Sequence, residues 1–162
     1  MHLGLDPLIG SNGEHPEAAK QPRQTRRSLP IALLRARETV MSKFRPMLNH
    51  HDINEQQWRV IRMLGEHGEL DATQLAERAL ILAPSLTRML KSLKARKLIK
   101  QRSDKTDGRR SLLSITPLAQ TMIDEITPES AAIYAEIEGK VGVAQIDNLL
   151  DMLELLDREL SQ

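Results

Sequence analysis

Residues 104–117 read DKTDGRRSLLSITP, and this stretch decides how the middle of the chain folds. Charged residues and a glycine come first, the largely apolar SLLSI follows, and a threonine–proline pair ends the stretch. Because LIKQR precedes it at 98–102, the two segments predict a two-stranded hairpin with a basic tip. Thr116 is suited to cap a helix whose first residue is Pro117, so a long helix is predicted directly after the hairpin.

Three helices are predicted upstream of residue 80. The first begins at Ser28–Pro30 and keeps one apolar face to about Asn49. The next two begin at capping boxes, in which a cap side chain and the third helical side chain each bond the other residue's amide. These boxes are Asn54 with Gln57, and Asp71 with Gln74.

A fourth helix begins at Pro84 and has two chemically different faces. Its apolar residues recur at the spacing of one helix face: Leu86, Met89, Leu90 and Leu93. The polar and basic residues lie on or near the other face: Ser85, Thr87, Arg88, Lys91 and Lys94. The first face is therefore predicted to pack on a core, which leaves the second available to a partner.

Two more helices are predicted after the hairpin. Because proline lacks an amide hydrogen, Pro128 is expected to kink or break the first of them. The last helix repeats apolar residues at steps of three and four: Val143, Ile146, Leu149, Leu150, Leu153, Leu156 and Leu160. The element order predicts an α+β fold, mostly α, in which short helices and a basic hairpin have the outline of a winged helix-turn-helix.

Charge is segregated along the chain, although its net charge is only +1. Residues 83–110 hold ten Lys or Arg against two Asp, a net charge of +8, and residues 111–162 have the reverse balance, −8. Such separation predicts a polyanionic partner, and double-stranded DNA fits best because a helix enters the major groove and arginines reach the minor groove. A helical domain with a solvated basic hairpin is the alternative interpretation.

Composition argues against several classes of protein. The absence of cysteine rules out disulfides and thiolate chemistry and fits a cytoplasmic location. No apolar run approaches the roughly 20 residues that span a bilayer, so no membrane is expected as a partner. Residues 1–28 lack a secretory signal and are expected to form a flexible basic arm. Motifs such as G-x-S-x-G and H-E-x-x-H are missing, so we expect neither catalysis nor a cofactor.

The sequence resembles the MarR family of winged-helix transcription regulators over about residues 29–160. The resemblance is carried by QQWRVIRML at 56–64, LAERALILAPSLTRMLKSLKARKLI at 75–99 and DGRRSLLSITP at 107–117. With LPIALLRARE at 29–38, the chain is most similar to the branch that controls homoprotocatechuate and 4-hydroxyphenylacetate degradation operons. The resemblance implies a homodimeric repressor that sets two reading helices on a pseudopalindromic operator and is released by a small ligand.

The expected domain organisation combines this resemblance with the predicted elements. After the arm at 1–28, a dimerisation helix is expected at 29–53 and a DNA-binding lobe at 54–116. C-terminal dimerisation helices are expected at 117–162.

Asp107 and Arg109 match the acidic-x-arginine pair of the family's wing. The carboxylate is expected to hold and aim the Arg109 guanidinium, while Arg110 reaches a phosphate or folds back. An ordinary surface ion pair is the alternative. Lys97 departs from the family, which usually has glycine just after the reading helix because the chain turns left-handed there. Lys97 is therefore expected either to bear the strain of that conformation or to alter the turn.

Trp58, the only tryptophan, lies four residues before Arg62 on the predicted second helix, so the two share a face with Glu55. An indole beside a guanidinium suits a phenolic or other aromatic acid, with ring against ring and the carboxylate on the guanidinium. Arg37 is expected to join them, since the resemblance implies a ligand between the dimerisation helices and the DNA-binding lobe. A core tryptophan beside an interhelical salt bridge explains the same pattern.

Two functions from other classes compete with the regulator. One is a protein-interaction module that uses the winged fold without DNA. The other is a metal-dependent enzyme built on His50 and His51. Adjacent histidines at a helix end point in different directions and no second cluster supports them, so no metal is expected.

Overall fold

The computed structural model describes residues 28–107 and 109–161. Its elements, in chain order, are α1 (Leu29–His50), α2 (Glu55–His67), β1 (Leu70–Asp71), α3 (Ala72–Ala79), α4 (Ala83–Ala95), β2 (Ile99–Ser103), β3 (Ser111–Ile115), α5 (Pro117–Val141) and α6 (Val143–Leu160). The expected α+β class, mostly α, is confirmed. Apart from Ser28, the arm predicted at residues 1–28 lies outside the described residues.

The chain divides into two compact units, residues 1–37 and 38–162. The described part of the first unit is Ser28 and the beginning of α1. Its apolar side chains are exposed: Leu29, Ile31, Leu33 and Leu34. The core, the sheet and the basic hairpin all belong to the second unit.

The three strands form an antiparallel sheet in the order β1-β3-β2. Strands β2 and β3 are the predicted hairpin, with Ile99 opposite Ile115 and Ser103 opposite Ser111. Strand β1 pairs Leu70 with Leu113 and was not predicted. Two residues are too few to show the alternation by which a strand is recognised in a sequence.

The predicted helix starts are confirmed. Asn54 Oδ1 accepts a hydrogen bond from the Gln57 amide at 2.9 Å, and Asp71 Oδ1 accepts one from the Gln74 amide at 2.9 Å. Thr116 Oγ1 accepts from the amide of Ala119 at 3.3 Å. Each cap satisfies an amide that the helix itself leaves without a partner.

Helix α5 runs unbroken through Pro128, so the break that this proline could have caused does not occur. Thr127 Oγ1 donates to the Ile123 carbonyl at 2.7 Å, which adds a side-chain bond in the turn before the proline. Ile126 on the same turn is fully buried. Tertiary packing of this kind stabilises helices more than local propensity does.

The core is aliphatic except for Phe44, and it gathers side chains from α1 to α5 and the sheet. Helix α4 buries the four residues of its predicted apolar face: Leu86, Met89, Leu90 and Leu93. They pack in one cluster with Leu64 of α2 and Leu75 of α3. Because each fully buried leucine contributes about 2 kcal/mol, this stripe fixes how α4 is rotated.

Helix α4 ends in a left-handed turn, so Lys97 bears the strain of this conformation and does not alter the turn. Lys97 has φ 56°, and its amide donates to the Lys94 carbonyl at 2.9 Å. The next amide, that of Leu98, donates to the Leu93 carbonyl at 3.0 Å. These paired bonds are those of a Schellman motif, here with lysine where glycine is usual.

Helix α6 has no buried side chain among its described residues. Five of its apolar residues are half exposed or more in a single chain: Val143, Leu149, Leu150, Met152 and Leu160. An apolar surface this extensive is typical of a subunit interface. None of the described helices is long and apolar enough to cross a membrane.

We expect a two-fold symmetric dimer that buries more than about 2,000 Å² in total, through α6 and the other helices predicted to dimerise. Sedimentation equilibrium should show a dimer at micromolar concentration. Leu150→Glu should shift the protein towards monomer, because the carboxylate would be buried in the interface. Leu80→Glu, at a leucine outside these helices that is 83% exposed against 52% for Leu150, should remain dimeric. A wild-type monomer at that concentration would contradict this assignment.

Lys97→Gly should stabilise the protein by about 1 kcal/mol, since the side chain of an L-residue is strained at a left-handed position. Thermal unfolding should show a midpoint about 2–4 °C higher. Lys91→Gly, which removes the same charge from the interior of α4, should instead destabilise by about 1 kcal/mol. Equal effects of the two substitutions would show that backbone strain at Lys97 is not relieved.

Candidate nucleic-acid interface and ligand pocket

Helix α4 turns its polar side chains outward. Ser85 is half-buried and the rest of the predicted reading face is exposed: Thr87, Arg88, Lys91 and Lys94. Neither Arg88 nor Lys91 forms an ion pair with another described residue. Thr87 Oγ1 donates to the Ala83 carbonyl at 3.1 Å, so its oxygen keeps only its acceptor capacity. The five predicted residues therefore share one accessible helix face.

The end of α4 is connected to both strands of the wing, the hairpin formed by β2 and β3. Lys94 Nζ donates to Gln101 Oε1 at 2.6 Å, and the Gln101 amide nitrogen donates to Ser111 Oγ. The ammonium group has two further donors for a partner. Lys94 thus connects α4 to the wing, a contact that sequence spacing alone did not indicate.

The wing loop is held in shape by its backbone and its aspartates. The Asp104 amide donates to the Arg110 carbonyl at 2.9 Å, and the Arg110 amide donates to the Asp107 carbonyl at 2.9 Å. Asp104 Oδ1 accepts from the Thr106 amide at 2.9 Å. The hydrogen bonds from Thr106, first its amide and then its hydroxyl, hold the pKa of Asp104 below its ordinary value.

Asp107 makes a different contact from the expected one. Its Oδ1 accepts from the backbone amide of Arg109 at 3.1 Å, and no ion pair joins it to the Arg109 guanidinium. A short aspartate side chain reaches the amide two residues on more readily than the end of a long side chain. Arg109 is exposed and pairs with no described acid, so Asp107 orders the loop backbone while the guanidinium stays available.

Arg110 folds back, which was one of its two expected positions. Its guanidinium pairs with Asp71 Oδ2, while Oδ1 of the same carboxylate caps α3. The Gln74 amide and then the Arg110 guanidinium hold the pKa of Asp71 below its ordinary value. One carboxylate therefore connects the wing to the first helix of the helix-turn-helix.

A second ion pair reinforces this connection at the edge of the sheet. Arg102 Nε donates to Glu69 Oε1 at 2.7 Å, from β2 to the residue just before β1. The hydrogen bond from Arg102 holds the pKa of Glu69 below its ordinary value. Glu69 and Asp71 both lie in the three residues before α3, so this short segment anchors the wing.

A cavity of about 290 Å³ lies among α1, α2 and α5. Three of the four predicted ligand residues line it: Glu55, Trp58 and Arg62. The aromatic rings of Phe44 and Tyr134 lie 5.0 Å apart between centroids, tilted by 58°, and line the same cavity. Such a cavity has apolar walls and a few charged groups, which suits a small aromatic acid.

The charged groups at the cavity wall have partners in this structure. The Arg62 guanidinium carbon lies 5.8 Å from the centre of the Trp58 ring, and Arg62 Nε donates to Glu66 Oε1 at 3.0 Å. Glu55 is paired with Arg45. A ligand carboxylate would therefore compete with Glu66 for Arg62.

Sequence reasoning missed part of this wall. Ser130 and Tyr134 come from α5, far along the chain, and only the tertiary fold brings them to α2. Arg59, also at the cavity, donates to the Ala79 carbonyl at the end of α3 at 2.9 Å. Arg37 lies on α1 in the N-terminal unit, and its part in a ligand site stays a prediction.

His51 lies against α5, with Nε2 2.8 Å from Glu129 Oε1. Its ring and that of His50 are 5.4 Å apart in an edge-to-face arrangement. Within residues 28–107 and 109–161, no group of three or more His, Asp or Glu side chains is arranged to hold a metal ion. His51 joins the turn after α1 to α5.

Known proteins that are similar to this chain include regulators of transcription. Residues 51–110 match the sequence profile of the MarR family. The chain is 40% identical over 126 residues to the HTH-type transcriptional regulator FarR of Neisseria gonorrhoeae, covering 78% of this chain and 86% of FarR. It is 37% identical over 127 residues to the homoprotocatechuate degradative operon repressor of Escherichia coli, with the same two coverages. The crystal structure of NadR in complex with 4-hydroxyphenylacetate is similar, with a TM-score of 0.75, 36% identity and coverage of 83% of this chain and 98% of NadR.

Asp71→Asn should release Arg110 for contact with DNA while keeping the cap of α3, since asparagine caps as well as aspartate. The slope of log K against log salt concentration for a duplex should steepen by about 0.9 for each added phosphate contact. Asp71→Ala is the control, because it frees Arg110 equally but also lowers the thermal midpoint through loss of the cap. An unchanged slope for Asp71→Asn would mean that Arg110 does not reach phosphate.

Proposed function

The chain belongs to the MarR family and is a DNA-binding regulator of transcription, and from this we propose how it works. It is a dimeric repressor that binds a pseudopalindromic operator through α4 and the wing. It leaves the operator when a small phenolic or other aromatic acid binds the cavity among α1, α2 and α5. We assign it to the cytoplasm and assign it no catalytic role, in keeping with relatives that are named as regulators.

The observation that carries the DNA-binding part is the pairing of α4 with the wing. The buried stripe of α4 leaves Ser85, Thr87 and Arg88 in its outward-facing first turns, which is where a reading helix meets base edges. Lys91 and Lys94 lie further along and suit phosphates. Arg109 at the wing tip suits the minor groove, and Arg110 suits a phosphate once it leaves Asp71.

Arg88→Ala should reduce discrimination between the operator and variant duplexes by about 1–3 kcal/mol for each lost base contact. Lys91→Ala, the matched control on the same helix, should weaken binding to all duplexes alike and lower the salt slope by about 1 for each subunit that loses a phosphate contact. Competition binding against a set of single-base operator variants distinguishes the two effects. An unchanged order of preference in Arg88→Ala would show that the reading face is assigned wrongly.

The effector proposal is supported by the composition of the cavity and by two relatives. NadR has been solved with 4-hydroxyphenylacetate, and the relative from Escherichia coli is named for the homoprotocatechuate operon. In this chain, Trp58, Phe44 and Tyr134 offer apolar surface to a phenyl ring. Arg62 offers a guanidinium that can exchange Glu66 for the ligand's carboxylate. A phenolic acid such as 4-hydroxyphenylacetate meets both requirements.

Release of DNA follows from where the cavity lies. Its walls include α2, whose buried residues Val60, Ile61 and Leu64 pack in the same core as α4. A ligand that binds more tightly to dimers with wrongly spaced reading helices shifts the population towards them. Nearly complete switching needs a preference of about 10⁴-fold.

Titration with 4-hydroxyphenylacetate should change Trp58 fluorescence and release the operator over the same concentration range. The uncharged amide of this compound is the matched control and should bind much more weakly to the wild type, because it lacks the carboxylate that Arg62 binds. Arg62→Ala should bind the acid and the amide about equally. If Arg62→Ala still preferred the acid as strongly as the wild type does, the carboxylate would bind elsewhere.

A further inference from the structure

Helix α4 begins differently from the other helices of the DNA-binding lobe. Helices α2 and α3, and α5 after the wing, each begin at a polar cap whose side chain accepts an amide hydrogen bond: Asn54, Asp71 and Thr116. At α4 the cap position holds Leu82, and no side chain caps the helix. An apolar residue at this position costs about 1 kcal/mol relative to a capping one.

Packing does not compensate for this loss. Leu82 is 80% exposed, and Ala83 and Pro84 after it are exposed as well. The chain thus presents three consecutive apolar residues to solvent at the start of the reading helix. A residue that breaks a local rule without a packing gain is a candidate for function.

The position of these residues limits what they can contact. They come directly before Ser85 at the N-terminal end of α4, the end of the helix that meets base edges in the major groove. Among the base-pair edges of that groove, the C5 methyl of thymine is the apolar group, and apolar side chains recognise it.

We propose that Leu82 reads thymine in each half-site through contact with the C5 methyl group, with Ala83 and Pro84 completing the apolar edge. This inference rests on the proposed function, because it requires α4 in the major groove. The contact between Leu82 and the methyl group depends on burial of apolar surface. It supplements the polar contacts that Ser85, Thr87 and Arg88 make with base edges. Such a contact is insensitive to salt, unlike the lysine contacts to phosphate.

The test is a cycle of substitutions in protein and DNA. The DNA is the duplex recovered from genomic fragments that the wild-type protein retains, with deoxyuridine in place of thymidine at one position at a time. Deoxyuridine keeps the base pair and removes only the methyl group. Wild type should bind about four-fold less tightly when the contacted methyl is missing, the effect of exposing one methyl-sized apolar group.

Because Leu82→Ala changes both subunits, it should bind the thymine operator about 16-fold less tightly than the wild type does, about four-fold for each half-site, and lose its sensitivity to deoxyuridine at that position. Leu82→Ser should behave in the same way and also have a higher thermal midpoint, since serine restores the cap. A residue with only a structural role would not combine greater stability with loss of thymine discrimination. Leu80→Ala is the matched control, because Leu80 is 83% exposed but ends α3 and should leave the sensitivity intact.

The outcomes separate this inference from the proposed function. If wild type retains no specific duplex, the proposed function fails, and the inference fails with it. If wild type binds its operator but Leu82→Ala and Leu82→Ser remain as sensitive to deoxyuridine as wild type at every position, only the assignment to Leu82 is overturned. Loss of sensitivity in Leu80→Ala alone would likewise contradict the assignment.

Discussion

Burial of one stripe of α4 is the constraint on which the proposed DNA-binding surface depends. Leu86 and Leu93, at 2% and 0% exposure, fix the rotation of the helix and so determine which side chains face outward. The same core holds Leu98 and Ile99, directly after the left-handed turn at Lys97, so the wing begins from a fixed point. A single packing arrangement therefore orients both the helix and the start of the wing. The charged residues on the two elements take their positions from this packing.

Polar contacts then hold the far part of the wing in place and add little to the free energy of unfolding. Exposed ion pairs such as Arg102–Glu69 contribute about 1 kcal/mol or less to stability, so their effect is mainly one of orientation. Asp71 is used twice, as the cap of α3 and as the partner of Arg110, which couples the helix-turn-helix to the wing through one carboxylate. Arg88, Lys91 and Arg109 pair with no described acid and carry the positive charge that a polyanion would meet.

The sequence predicted the features that depend on local chemistry. Capping boxes at Asn54 and Asp71, the two faces of α4 and the hairpin follow from residue types at fixed spacings, and the structure confirms them. Contacts between distant segments left no such signal. The two-residue strand β1, the pairing of Arg110 with Asp71 and the cavity wall from α5 arise only when the chain is folded. Residue spacing also does not determine whether Asp107 contacts the amide or the guanidinium of Arg109, because that depends on the conformation of the loop.

Specific binding of duplex DNA by α4 and the wing is the central claim, and the salt dependence of that binding tests it most directly. With six or more phosphate contacts from a dimer, affinity for the operator should fall by about 10³-fold or more between 50 and 200 mM salt. The operator should remain preferred over an unrelated duplex throughout this range. Binding that hardly changes with salt, or equal affinity for operator and unrelated duplex, would contradict the claim.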